Sequence, residues 1–172
     1  MVRLFCMGES IVRASVWTAL LCYSAGPLGA AVPSDRGQRV LRVVWTLGAA
    51  AFLVHVVSSF HVFYDWSHTV AVAETARQVY ELTGFEFGTG LYLNYVFTLI
   101  WVVDSAWWWR NATGYRRRSW RGVLFTHGFF LFMIFNATVI FEDGFVRILG
   151  LLVTLVGTLA LVQASRQRRA RR

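Results

Sequence analysis

The chain alternates long apolar blocks with short polar connections. Each block is close to the roughly 20 residues that a helix needs to cross a hydrocarbon core of about 30 Å. The blocks are residues 14–32, 40–63, 88–109, 122–141 and 145–162. This pattern predicts an all-α integral membrane protein in which residues 1–172 form a single domain, a compact bundle of five transmembrane helices.

The first block has two interpretations. Arg3 and Arg13 precede it and small residues lie near its end, as in a cleaved signal peptide, and this would leave four spans. However, small residues also recur at every fourth position, which lets membrane helices approach closely. These are Ala14, Thr18, Cys22, Gly26 and Ala30. We therefore predict a retained helix and five spans.

The longest connection, residues 64–87, is expected to contain a short amphipathic helix. Ser67 or Asp65 suits its N-cap, and Gly84 is a typical stop signal. The apolar positions between them form one stripe. We predict a helix over residues 67–83 that lies in the interface of the outer leaflet.

The basic residues indicate an orientation. All 17 are arginines, and 13 of them fall in residues 36–42, 110–121 and 166–172. These three segments share one side of a five-span bundle, which the positive-inside rule makes cytoplasmic. We predict an inner (plasma) membrane protein with its N-terminus outside and a basic cytoplasmic tail at 166–172. Because the arginines flank apolar blocks, their expected partner is the lipid bilayer, and other membrane subunits are possible partners; nucleic acid is excluded.

Three potential metal ligands lie within eight residues. On a continuous helix, His61, Asp65 and His68 would project within an arc of about 60°, and two imidazoles with a carboxylate suit a transition metal. The alternative is that they are cap and interface residues. A helix break near Tyr64 would remove their common face.

Asp104 and His127 form a second candidate set. Each lies six residues inside an arginine, Arg110 and Arg121 respectively, so the two side chains are expected at equal depth in antiparallel helices. A carboxylate inside the membrane should face the bundle and have a partner. The pair predicts either a hydrogen bond that fixes helix register or a proton relay.

His55 lies well inside the second block. It would suit a haem ligand, but His127 lies at a different depth, so haem is the weaker expectation and a hydrogen bond to Asn94 or Asn136 the stronger.

The sequence contains no phosphate-binding glycine loop and no recognisable nucleophile motif, so it leaves enzymatic activity undecided. The leading expectation is an accessory or scaffold component of a membrane complex. The alternatives are an outer-face metal-binding or redox protein that uses His61, Asp65 and His68, and a proton-coupled carrier that uses Asp104 and His127.

Overall fold

The computed structural model describes residues 2–26, 32 and 34–170, with the backbone alone for 2–6 and 167–170. Every regular element in these residues is helical. In chain order they are α1 (Val2–Ala25), α2 (Asp35–Phe63), α3 (His68–Thr83), α4 (Gly90–Arg110), α5 (Ala112–Arg116), α6 (Trp120–Phe135), a π-helical segment (Asn136–Ile140) and α7 (Gly144–Ala170). The predicted all-helical class is thus confirmed over this part of the chain.

Three helices are long and apolar enough to cross a membrane: α2, α6 together with the π-helical segment, and α7 up to Arg166. The other two predicted spans are also long helices, of 24 residues in α1 and 21 in α4. Both carry strongly polar residues within their length, Glu9 and Arg13 in α1 and Asn94 and Asp104 in α4. The helix α1 also begins well before the predicted block and ends at Ala25, just before Gly26 and Pro27.

The predicted helix in the long connection is present as α3, and its ends are set by local chemistry. The Ser67 side chain accepts a hydrogen bond from the Val70 amide at 3.3 Å. This satisfies one of the amides that a helix N-terminus leaves without a partner. At the other end Gly84 adopts a φ of 75°, the left-handed conformation that stops a helix.

The five long helices α1, α2, α4, α6 and α7 run alternately up and down. Close contacts at glycines bring them together: a Cβ placed on Gly48 of α2 would lie 2.6 Å from Trp101 of α4 and 2.9 Å from Cys22 of α1. Glycine is required there because no larger residue fits at the crossing. We call the two ends of the bundle the Arg118 end, where α4 leads into α6, and the Glu142 end, where α6 leads into α7.

The π-helical segment is where α6 packs most closely on α7. The amide of Phe141 donates to the carbonyl of Asn136 at 3.1 Å, the spacing of a π-helix. A Cβ on Gly150 of α7 would overlap the Thr138 hydroxyl and lie 2.5 Å from Thr138 Cβ. The π-helical turn brings Thr138 against α7 at the position where Gly150 leaves room for it.

Four large aromatic side chains are fully buried at the centre of the bundle, and each comes from a different helix. They are Tyr23 of α1, Trp45 of α2, Trp101 of α4 and Phe130 of α6. Trp45 stacks on Phe130 with ring centroids 5.7 Å apart, and Trp101 lies 5.3 Å from the same ring. We call these four residues the aromatic layer. It divides the interior into two regions with different chemistry.

Candidate functional site

The region at the Arg118 end depends on how the chain turns between α4 and α6. Asn111 caps the short helix α5 by accepting a hydrogen bond from the Gly114 amide at 2.7 Å. Ser119 caps α6 in the same way, from the Gly122 amide at 3.2 Å. These two caps fold the connection back on the bundle, so that Tyr115 and Arg118 reach its interior.

Asp104 and His127 are both buried here, and Arg118 lies between them. One guanidinium nitrogen, Arg118 Nη1, donates to Asp104 Oδ1 at 2.7 Å, while Nη2 lies 3.3 Å from His127 Nε2. The Tyr115 hydroxyl donates to the second carboxylate oxygen at 2.7 Å. The Arg118 side chain is only 12% exposed and that of Asp104 only 7%. We call these four residues the polar network.

The structure thus brings the predicted pair together but corrects how it interacts. Asp104 and His127 are bridged by an arginine that the orientation argument counted among the cytoplasmic surface residues. Because a guanidinium only donates, His127 Nε2 must accept, which makes the imidazole neutral with its proton on Nδ1. That Nδ1 atom is buried and has no hydrogen-bond partner in the described part of the chain.

Tyr115 strengthens the polar network in two ways. The Arg118 guanidinium lies over its ring, 4.0 Å from the centroid. Burial and the neighbouring Asp104 carboxylate raise the pKa of the Tyr115 hydroxyl well above its usual range, so it remains a hydrogen-bond donor. The Trp108 ring also stacks on the Tyr115 ring, with the two ring centroids 4.4 Å apart. Both carboxylate oxygens of Asp104 thus accept a hydrogen bond from a fixed donor, one from Tyr115 and one from Arg118.

The aromatic layer contacts this network on one side. The Tyr23 hydroxyl donates to the backbone carbonyl of His127 at 3.4 Å, and the Trp45 ring lies 5.5 Å from the imidazole. On its other side, Tyr23 and Trp101 form part of the wall of a cavity. Bulky rings therefore separate the polar network from that cavity.

The cavity opens towards the Glu142 end and has a volume of about 330 Å³. All five long helices and the π-helical segment contribute to its lining. Its lining includes two charged residues, Arg13 and Glu142, and the polar side chains of His55 and Asn94. His55 Nδ1 lies 3.0 Å from the Val12 carbonyl, so the expected bond to Asn94 or Asn136 is wrong. Asn136 instead donates to the Phe132 carbonyl at 2.7 Å.

The predicted metal ligands are not brought together. The helix α2 ends at Phe63 with Tyr64 as its C-cap, and Asp65 and Trp66 follow with φ of 46° and 59°. This left-handed turn removes the common helical face on which the metal prediction depended. Among the described residues, no group of three or more His, Cys, Asp or Glu side chains is placed to hold a metal ion.

The two histidines of that set have aromatic neighbours instead. The His61 ring lies 6.1 Å from Trp66, and the His68 ring lies 5.7 Å from Tyr92 and 6.0 Å from Tyr95 of α4. His68 thereby packs the start of α3 against the bundle. His61, Asp65 and His68 therefore do not share the helical face from which a metal site was predicted.

Sequence reasoning missed Tyr115, Arg118 and the cavity. The signal for Arg118 was the presence of a buried carboxylate, which requires a cation, but the run Arg116 to Arg118 offers three equivalent choices. The cavity residues are spread over six elements, so no local pattern connects them. Comparison of this chain with protein-family models, with curated proteins and with solved structures finds no match.

Proposed function

We propose that the chain crosses the membrane five times, with its N-terminus outside and its C-terminus in the cytoplasm. The contacts of α1 and α4 support this. The helix α1 packs on α2 from Gly8 beside Val62 to Cys22 beside Gly48, and α4 packs on α2 from Tyr95 to Trp109. A helix that lies along most of a membrane-spanning neighbour must itself lie in the membrane.

The charge pattern supports the direction. The Arg118 end carries most of the arginines, as a cytoplasmic end should. Aromatic residues accompany them: the Arg42 guanidinium lies 4.1 Å from the centre of the Trp109 ring, and the Trp109 indole donates to Thr46 at 2.9 Å. Indole rings hydrogen-bonded in this way are typical of a membrane interface.

Cysteine labelling tests the topology. In a chain whose Cys6 and Cys22 are replaced by serine, we expect a membrane-impermeant maleimide to label Ser67→Cys in intact cells or right-side-out vesicles. Ser119→Cys should react only after permeabilisation, because it lies at the opposite end of the bundle. Labelling of both in intact cells would contradict the crossing of α4, and labelling of Ser119→Cys alone would overturn the proposed orientation.

For the function itself, we propose an accessory or scaffold component of a membrane complex. One observation carries this: the buried Asp104 and His127 belong to a closed network with Tyr115 and Arg118. Both Asp104 oxygens are held by fixed donors, the His127 acceptor nitrogen is occupied by Arg118, and the aromatic layer lies between these groups and the cavity. Such an arrangement fixes the positions of α4, α5 and α6 relative to one another.

The alternative, a proton-coupled carrier, would need the contacts of Asp104 to break and re-form. Proton transport would require Asp104 to release Arg118 and Tyr115 in each cycle and would require a path through the aromatic layer. The hydrogen bonds and the burial of both groups favour a permanent contact instead.

Two measurements distinguish the proposals. In proteoliposomes under an imposed pH gradient, we expect the protein to carry no more protons than empty liposomes; flux that disappears in Asp104→Asn would support the carrier. On native gels of mildly solubilised membranes, we expect the chain to migrate as a larger species than the purified protein in the same detergent. Migration of both samples at the same position would contradict the scaffold proposal.

A further inference from the structure

We propose that the cavity at the Glu142 end binds one amphiphile with a zwitterionic headgroup, a phosphate and an ammonium carried on a single acyl chain. This would be a ligand site in the bundle, separate from the polar network. The charge at the mouth, the nature of the walls and the volume each point to this class of ligand.

The mouth of the cavity carries one charge of each sign. Arg13 comes from α1, and Glu142 follows the π-helical segment; both line the cavity. Within the described residues neither side chain forms an ion pair. The nearby Arg147 instead pairs with Asp143 at 2.7 Å, and its Nε donates to the backbone carbonyl of Glu142 at 2.9 Å. A guanidinium matches a phosphate, and a carboxylate matches an ammonium group.

The walls below the mouth are apolar and largely aromatic. They include Trp17, Phe52, Phe97, Trp101, Met133 and Ile134. At about 330 Å³ the cavity is near the lower end of the range of ligand pockets, roughly 300–1,000 Å³. This volume excludes two acyl chains and encloses part of one, so the rest of the chain would extend out of the cavity. Since lipid tails are as apolar as these side chains, chain entry alone gains little, and the headgroup must supply the selectivity.

Two uncharged polar side chains, His55 and Asn94, also line the cavity. The Val12 carbonyl can only accept a hydrogen bond, so His55 donates from Nδ1 at 3.0 Å. In the neutral ring this leaves Nε2 as an acceptor, suited to the free glycerol hydroxyl of a single-chain phospholipid. The Asn94 amide offers a donor for the ester carbonyl. A zwitterionic phospholipid with one acyl chain therefore has a partner for each of its polar groups.

Native mass spectrometry of the delipidated protein tests this proposal. We expect one molecule of lysophosphatidylethanolamine to bind, and lysophosphatidylglycerol, which lacks the ammonium group, to bind at least about tenfold more weakly. Phosphatidylethanolamine with two chains distinguishes a membrane phospholipid that inserts one chain from a single-chain ligand. Binding of either ethanolamine lipid in preference to the glycerol lipid supports the proposed headgroup.

Matched variants locate the site. Arg13→Gln and Glu142→Gln should each weaken binding of lysophosphatidylethanolamine at least about tenfold, because each removes one charged partner. Arg77→Gln and Glu81→Gln carry the same changes on α3, away from the cavity, and should bind as the parent does. Val146→Trp, which fills the cavity from α7, should prevent binding while far-UV circular dichroism remains that of the parent.

Three results would overturn the proposal. One is equal binding of the ethanolamine and glycerol lipids. Another is unchanged binding in both Arg13→Gln and Glu142→Gln. The third is the absence of any bound lipid on folded parent protein. These results do not depend on proton flux or on the native-gel position. The proposed ligand site and the proposed scaffold function can therefore be disproved independently of each other.

Discussion

Replacing Asp104 with alanine is expected to lower the free energy of unfolding by about 3–5 kcal/mol. The substitution leaves the Arg118 guanidinium buried without its counter-ion and removes the acceptor of the Tyr115 hydroxyl. A charge left unpaired inside the bundle costs more than the pair itself contributes. The measurement is unfolding in mixed micelles with increasing dodecyl sulfate, followed by circular dichroism.

Two control variants make this result specific. Asp35→Ala removes an ion pair between α2 and α5, to Arg116, but the Asp35 side chain is 86% exposed, so the loss should be at most about 1 kcal/mol. The double variant Asp104→Asn/Arg118→Gln removes both charges and should recover much of the stability lost in Asp104→Ala. Equal losses for Asp35→Ala and Asp104→Ala would show that the polar network does not stabilise the bundle.

Phe130→Ala is expected to cost about 3–5 kcal/mol, because it leaves a cavity at the centre of the aromatic layer. The Phe130 ring is 0% exposed and contacts residues from all three other helices of that layer. Loss of the ring would also join the cavity at the Glu142 end to the region around His127. We therefore expect faster hydrogen exchange in the backbone of α6 in addition to the lower stability.

Phe132→Ala is the matched control for that variant. It lies two residues further along the same helix and is 53% exposed on the outer surface of the bundle. Its removal should cost much less than that of Phe130, since lipid replaces the contacts that the ring makes. Similar losses at the two positions would contradict a special role of the aromatic layer.

Sequence reasoning worked where structure follows from local chemistry. The apolar blocks predicted where α2, α4, α6 and α7 lie, although α1 begins and ends well before its block does, and Ser67 and Gly84 predicted both ends of α3. It failed at Tyr64, where the metal prediction assumed a helix that continues through Asp65. Two left-handed residues in succession, Asp65 and Trp66, are an uncommon conformation that the sequence does not signal.

In the polar network, the need for a partner could be predicted from the sequence but the identity of that partner could not. The requirement of Asp104 for a partner was correctly inferred from the cost of a carboxylate in the membrane. Which residue meets that requirement depends on how α5 folds back, and this is decided by the caps at Asn111 and Ser119 together with packing on Tyr115. The cavity could not be inferred because its lining residues come from six separate elements.

The π-helical segment has a consequence for the evolution of this bundle. A π-turn contains one residue more than an α-turn, and each residue of an α-helix advances the chain by about 100° around the axis. Deletion of a single residue from Asn136–Ile140 would restore a regular α-helix and rotate everything that follows by that angle. Glu142 would then leave the cavity mouth and Thr138 would lose its fit against Gly150. The one extra residue in this turn thus sets the alignment of the last two long helices.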